Sequence, residues 1–177
     1  TYIMKSKYFN KDLLAQLRKE VKTSDYPSTF EPTEWKEVQP YSNCLQYALN
    51  LKHVKLKRCL VVGAVLGINT LSIYSKKRFE ELLCEEWEEL GFDVKCWQKS
   101  MLRNKKVKRQ VIAVYLSEEC REWHFIRMDR NGEWSHQAGL RGKIFNLDWL
   151  PEKVSCTTSE NEEVELKLYK IFSLTVE

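Results

Sequence analysis

The sequence predicts an α+β domain in which N-terminal helices pack on one side of a C-terminal antiparallel sheet. Segments with helical spacing of apolar residues lie in the first half, and runs rich in Val, Ile and aromatic residues lie in the second. Two of these runs are joined by Asn131-Gly132, a strong hairpin signal. Composition does not change along the 177 residues, so we expect one domain over residues 1–177.

Two predicted helices have one apolar face. In Phe9 to Val21 and in Lys76 to Leu90, large apolar side chains recur every three or four positions. Gly91 follows the second segment at the position of a helix C-cap. Residues 23–40 contain prolines and serines without a period, which predicts an irregular linker. The first helix therefore has a packing role.

The strand predictions come from β-branched and aromatic content. We expect Ile144 to Leu150 to be a short apolar stretch and Cys156 to Glu163 to be a polar loop. The apolar run from Cys59 to Ile68 fits neither a helix nor a strand clearly. The predicted strands are Phe92–Trp97, Gln110–Leu116, the two arms of the hairpin and Val164–Val176.

The length of the hairpin turn decides where two histidines point. A two-residue turn at Asn131-Gly132 would place His124 and His136 on opposite faces of the hairpin. A three-residue turn, Arg130-Asn131-Gly132 with its glycine in the left-handed region, places them on one face. We expect the three-residue turn, which brings the two imidazoles within reach of a shared network.

Cys44 has a position in the sequence that the other five cysteines lack. It begins a predicted helix within Tyr41 to Asn50, with Ser42 or Asn43 as the N-cap. Unpaired N–H groups in a first helical turn favour a thiolate, so we expect Cys44 to react well below pH 8. We expect Cys59, Cys84 and Cys96 to be small core residues, and assign no role to Cys120 and Cys156.

A cysteine at a helix start, followed later by a histidine on a strand, resembles the arrangement of papain-like hydrolases. The segment Asn43-Cys44-Leu-Gln-Tyr-Ala-Leu, with His124 and His136 one hairpin apart, is similar to NlpC-type papain-like amidases and peptidases of bacteria. This resemblance implies a papain-like fold and a cysteine hydrolase that cleaves an amide or isopeptide bond of a protein or peptide. It implies Cys44 as the nucleophile, His124 as acid and base, and His136 as the group that orients His124.

The same resemblance implies further site residues. Ser135 would replace His136 as the third member if the turn had two residues. An oxyanion would be held by the Cys44 backbone N–H and an upstream donor, Tyr41 or Gln39, with Asn43 in support. The hairpin also resembles a pattern in uncharacterised bacterial and phage proteins, from which Gln137 departs where lysine is usual. Its matching residues are His124, Arg127, Asp129, Gly132, Trp134, Ser135, His136 and Gly139.

Composition disfavours several other functions. The six cysteines form no CxxC pair, which disfavours a zinc site, and the resemblance implies no cofactor. No apolar run is long enough to cross a bilayer, and the charged N-terminus leads us to expect a cytoplasmic protein.

The basic cluster Lys99 to Arg109 lacks interleaved aromatic residues, which disfavours nucleic-acid binding. The alternative to catalysis is a protein-binding module that uses this basic surface. His53 is expected on the surface.

Overall fold

The computed structural model describes residues 11–68, 73, 75–103, 106–158 and 160–176. The predicted start of the first helix at Phe9 lies outside these residues. In the described part, no helix combines the length and apolar character needed to cross a membrane. The helices are α1 (Lys11–Thr23), α2 (Cys44–Ala48) and α3 (Lys76–Glu89), with 3-10 turns at Pro32–Trp35, Gln39–Tyr41 and Lys99–Arg103.

The C-terminal half forms one antiparallel sheet, which confirms the predicted α+β class. The seven strands of the described residues are β1 (Phe92–Cys96), β2 (Arg109–Leu116), β3 (Trp123–Met128), β4 (Trp134–Gln137), β5 (Ile144–Leu147), β6 (Lys153–Thr157) and β7 (Glu163–Val176). They pair in the order β1-β7-β2-β3-β4-β5, and β6 pairs with β7.

Strand β6 corrects one sequence prediction. Cys156 was expected to open a polar loop, but it lies within β6 and pairs with Val164 of β7. Val154 and Cys156 alternate with exposed neighbours along this strand. A period of two is the signature of a strand, and here only two apolar residues carry it.

The sheet separates two apolar clusters because successive side chains of a strand point to opposite faces. The larger cluster includes residues of all three helices together with Ile112, Val114 and Phe125. The smaller cluster lies on the other face and includes Ala113 and Ile126. The helices therefore pack on one side of the sheet, as predicted.

The turn between β3 and β4 has three residues, as predicted. Arg127 is opposite Ser135 and Met128 is opposite Trp134. The Gly132 N–H donates to the Asp129 carbonyl at 2.9 Å. Gly132 has a φ of +84°, in the left-handed region that glycine adopts without strain. The sequence therefore specified this register correctly.

The apolar run from Cys59 to Ile68 is neither helix nor strand; residues 62–67 form successive turns. Its backbone is held by the buried carboxylate of Glu86 on α3, which accepts from the N–H groups of Gly63 and Val65 at 3.2 Å each. Burial raises the pKa of Glu86 to about 7, although these N–H donors lower it.

Candidate functional site

Asn43 is the residue that caps α2. Its side-chain oxygen accepts from the Gln46 N–H at 3.1 Å, and its Nδ2 donates to the Leu60 carbonyl at 2.7 Å. This cap makes Cys44 the first residue of the helix. Of the two predicted caps, Ser42 and Asn43, the structure selects Asn43.

The two hairpin histidines form a direct pair. His124 Nε2 lies 2.9 Å from His136 Nδ1, and the two rings are nearly perpendicular. The Phe145 ring lies 5.8 Å from the His136 ring, and Tyr115 lies across from His124 on β2. The predicted shared face of the two histidines is therefore confirmed, down to a hydrogen bond.

Burial favours the neutral form of both rings. It lowers the pKa of His124 to about 3, with a further lowering from His136, and it lowers the pKa of His136. A bond between two neutral imidazoles needs one donor nitrogen and one acceptor nitrogen. When His124 Nε2 is the donor, the Nδ1 lone pair of His124 is available to take a proton.

The helix that begins at Cys44 and the two histidines belong to opposite faces of the sheet. The helix α2 packs on the opposite face of the sheet from the histidines, where Tyr47 contacts Ser135. Pairing of β3 with β4 ends at Arg127 and Ser135, so the strands are not paired beyond that point. The backbone N–H of Phe125, the neighbour of His124, lowers the pKa of the Cys44 thiol, although burial raises it by more.

Cys44, His124 and His136 line one cavity of about 510 Å³. The structure thus brings the three predicted catalytic residues to a common space. Glu122 is the only carboxylate, and no lysine or arginine occurs, among the described residues that line it. The remaining lining residues are Asn43, Cys59, Val61, Trp123, Ala138, Gly139, Leu140, Val154, Ser155, Cys156 and Thr157.

The resting site does not favour the thiolate that the sequence led us to expect. Cys44 is only 4% exposed, and burial raises the pKa of its thiol to about 12. The N–H groups of Phe125, Leu45 and Cys44 lower the pKa, but less than burial raises it. The expected thiolate is not favoured, because a helix position shows N–H donors and does not show desolvation.

The predicted oxyanion donors differ in position. Asn43 lines the cavity, whereas Tyr41 and Gln39 are not among its lining residues. The Gln39 side-chain amide donates to the Gly142 carbonyl at 3.0 Å, and Tyr41 is 47% exposed. The backbone N–H of Cys44 is the predicted donor that lies at the site itself.

Ser135 lies on the helix-facing side of the hairpin, away from the two histidines. Its hydroxyl is 2.8 Å from the Tyr47 hydroxyl and donates to the Asp129 carboxylate. Arg127 pairs with Asp129 at 2.9 Å and donates to the Tyr47 carbonyl, also at 2.9 Å. Ser135 and Arg127 therefore connect the hairpin to α2 through hydrogen bonds to Tyr47.

The other cysteines differ from one another. Cys96 is exposed, contrary to the expected core position, because the exposed end of β1 includes it. Cys59 and Cys84 are partly buried, and Cys59 lines the cavity. Cys156, to which the sequence assigned no role, also lines the cavity. No local pattern around Cys156 indicates this position.

Comparison with known protein families gives no match, and comparison with curated protein sequences gives none either. Within the described ranges, no group of three or more His, Cys, Asp or Glu side chains has the geometry of a metal site.

The basic cluster Lys99 to Arg109 lies partly outside the described residues, which omit 104 and 105. His53 is exposed, as expected.

Proposed function

We propose that the protein is a papain-like cysteine hydrolase that cleaves an amide bond of a protein or peptide with Cys44, His124 and His136. The observation that carries the proposal is the His124–His136 hydrogen bond at the wall of a cavity that Cys44 also lines. A nucleophile, a base and a group that orients the base are the three parts of such a site.

The protonation states define how the reaction would begin. The thiol of Cys44 and the ring of His124 are both neutral at pH 7, since burial raises one pKa and lowers the other. The thiol proton passes to His124 Nδ1 as the sulfur attacks the carbonyl carbon. A neutral base that acts in the same step as bond formation needs no pre-formed ion pair.

The remaining steps return each group to its starting form. The tetrahedral adduct collapses as the C–N bond breaks, and His124 gives its proton to the leaving amine. Water then attacks the thioester while His124 takes a proton from it, and the acid leaves as the thiol is restored. His136 Nδ1 accepts from His124 Nε2 throughout and stabilises the ring when it is charged.

The fold is consistent with this proposal at a coarse level. A cysteine begins a helix that packs on an antiparallel sheet, and the two histidines lie on adjacent strands of that sheet. In this arrangement α2 carries the nucleophile and the hairpin carries the base. The papain-like assignment is the interpretation that gives each of these groups a role.

The test is covalent labelling with an acetylated dipeptide vinyl sulfone, followed by intact-mass and peptide mapping. We expect one adduct per chain, on Cys44, and none in Cys44→Ala. We expect His124→Ala to lower the labelling rate constant by about 100-fold or more, since a positioned base typically contributes that much. Hydrolysis of a proteome-derived peptide library should be lost in the same two variants.

Two cysteines of the same cavity provide the matched controls. Cys59→Ala and Cys156→Ala remove thiols that share the cavity with Cys44. We expect both variants to be labelled and to cleave peptides within about threefold of the parent. Labelling of Cys59 or Cys156 in preference to Cys44, or full activity in His124→Ala, would contradict the proposal.

A further inference from the structure

The entrance of the cavity carries exposed apolar side chains on two sides. Val61 is 44% exposed and Leu140 is 55% exposed, and both line the cavity. They come from separate segments, the turns after Cys59 and the loop after β4. Exposed apolar residues that border a concave site are typical of ligand recognition.

Hydrogen bonds of their chain neighbours connect the segments of both residues to the start of α2. Leu60, which precedes Val61, accepts a hydrogen bond from Asn43 Nδ2 at 2.7 Å. Arg141, which follows Leu140, donates its N–H to the Ser42 carbonyl at 2.9 Å. The two segments are therefore tied to the two residues that precede Cys44, one to each.

The charges of the cavity restrict what can bind there. Glu122 contributes a carboxylate, and no lysine or arginine is among the described lining residues. An anionic side chain would be placed near a like charge without a compensating cation, which is unfavourable. The wall thus disfavours an anionic group, and its rim favours an apolar one.

Resting on the function proposed above, we infer that Val61 and Leu140 form a specificity pocket for an apolar substrate side chain. The occupant is the side chain of the residue whose carbonyl carbon Cys44 attacks. A leucine-sized group would bury its own surface and that of both rim residues. Recognition of this kind separates substrates by about tenfold or more for a few methylene groups.

The test compares three acetyl-Gly-X vinyl sulfones, in which X is Leu, Gly or Glu. We expect the Leu probe to label Cys44 at least about tenfold faster than the Gly probe, and the Glu probe to be slowest. In a V61S/L140S variant, we expect the rate of the Leu probe to fall to that of the Gly probe. The ratio of the Leu rate to the Gly rate should therefore fall to about one in this variant.

Trp149 provides the matched control. It is 69% exposed and is not among the cavity lining residues, so Trp149→Ser removes an exposed apolar side chain elsewhere. We expect Trp149→Ser to leave all three rate constants unchanged. Equal rates for the Leu and Gly probes, with labelling still dependent on His124, would overturn the pocket and leave the hydrolase proposal intact. Failure of every probe to label Cys44 would overturn the hydrolase proposal first.

Discussion

The two faces of the β3–β4 hairpin use polar residues in opposite ways. On the helix side, Arg127 and Ser135 are fully buried, and Asp129 at the start of the turn is 2% exposed. On the other side, His124 and His136 bond to each other beside a cavity. One face is a network of buried charged and polar partners, and the other holds two hydrogen-bonded imidazoles at a cavity wall.

The helix side explains much of the hairpin's sequence pattern. The Arg127 guanidinium contacts the carbonyls of Tyr47 and Thr29 and the Asn50 side chain, and it lies 3.7 Å from the Tyr47 ring centroid. Asp129 also accepts from the Ser28 hydroxyl at 2.9 Å. A pattern that resembles a single catalytic signature thus combines residues that hold α2 against the sheet with a hydrogen-bonded histidine pair.

The largest effect on stability is expected from removing the Asp129 carboxylate, which pairs with Arg127 and accepts from Ser135. Asp129→Ala leaves the buried Arg127 charge without its carboxylate, and we expect the free energy of unfolding to fall by about 3–5 kcal/mol. Asp129→Asn keeps an acceptor and should cost less. Urea denaturation followed by tryptophan fluorescence measures both losses.

An exposed ion pair serves as the control for Asp129. Lys153 and Glu165 approach to 3.4 Å with side chains that are at least half exposed. Lys153→Ala should change the free energy of unfolding by less than about 1 kcal/mol. If Asp129→Ala cost no more than Lys153→Ala, the Arg127 network would not be what holds α2 to the sheet.

A second pair of variants separates the two faces at neighbouring positions of β4. His136→Ala should lower vinyl sulfone labelling of Cys44 by about 100-fold, because the orienting partner of His124 is lost, and it should cost less stability than Ser135→Ala because both rings border a cavity. Ser135→Ala should have the reverse effect. It should cost about 1–3 kcal/mol of stability, since Tyr47 and Asp129 lose a buried partner, and leave labelling within about threefold.

The two measurements should therefore give opposite rankings of Ser135→Ala and His136→Ala. Loss of labelling in Ser135→Ala, with stability unchanged, would identify Ser135 as the third member of the site. That result would contradict the assignment of a structural role to Ser135 and of a catalytic role to His136.

The sequence predicted the parts of the site that depend on local geometry. Turn chemistry at Arg130-Asn131-Gly132 decided the register, and a period of two then placed His124 and His136 on one face. A cap before Cys44 decided where α2 begins. These signals act over a few residues, so they are visible in the sequence alone.

Long-range effects were not predictable in the same way. Arg127 is buried because Thr29, Tyr47 and Asn50, far away in the chain, provide its acceptors. The raised pKa of the Cys44 thiol arises from burial of the whole α2 start. Neither follows from spacing, because burial depends on which segments meet in the folded chain.

The smallest expected effect is a pH dependence that is nearly absent. Because the pKa of His124 is lowered to about 3, this ring gains a proton only in strong acid, and the Cys44 thiol stays protonated up to high pH. The labelling rate of Cys44 with the Leu vinyl sulfone should therefore vary by less than about twofold from pH 5 to pH 8. A histidine with an ordinary pKa near 6.5 would lose about 30-fold of its neutral form at pH 5.

A small thiol in solution is the reference for this profile, since its reactivity rises about tenfold per pH unit below its pKa near 8.5. If Cys44 followed that slope, its thiolate would react without help from His124. An acid limb near pH 6.5 would instead show that His124 titrates as a solvated ring. A flat profile is the result expected if His124 and the Cys44 thiol are both desolvated and neutral and His136 orients His124. The helix side of the hairpin differs, since it holds the charged Arg127–Asp129 pair.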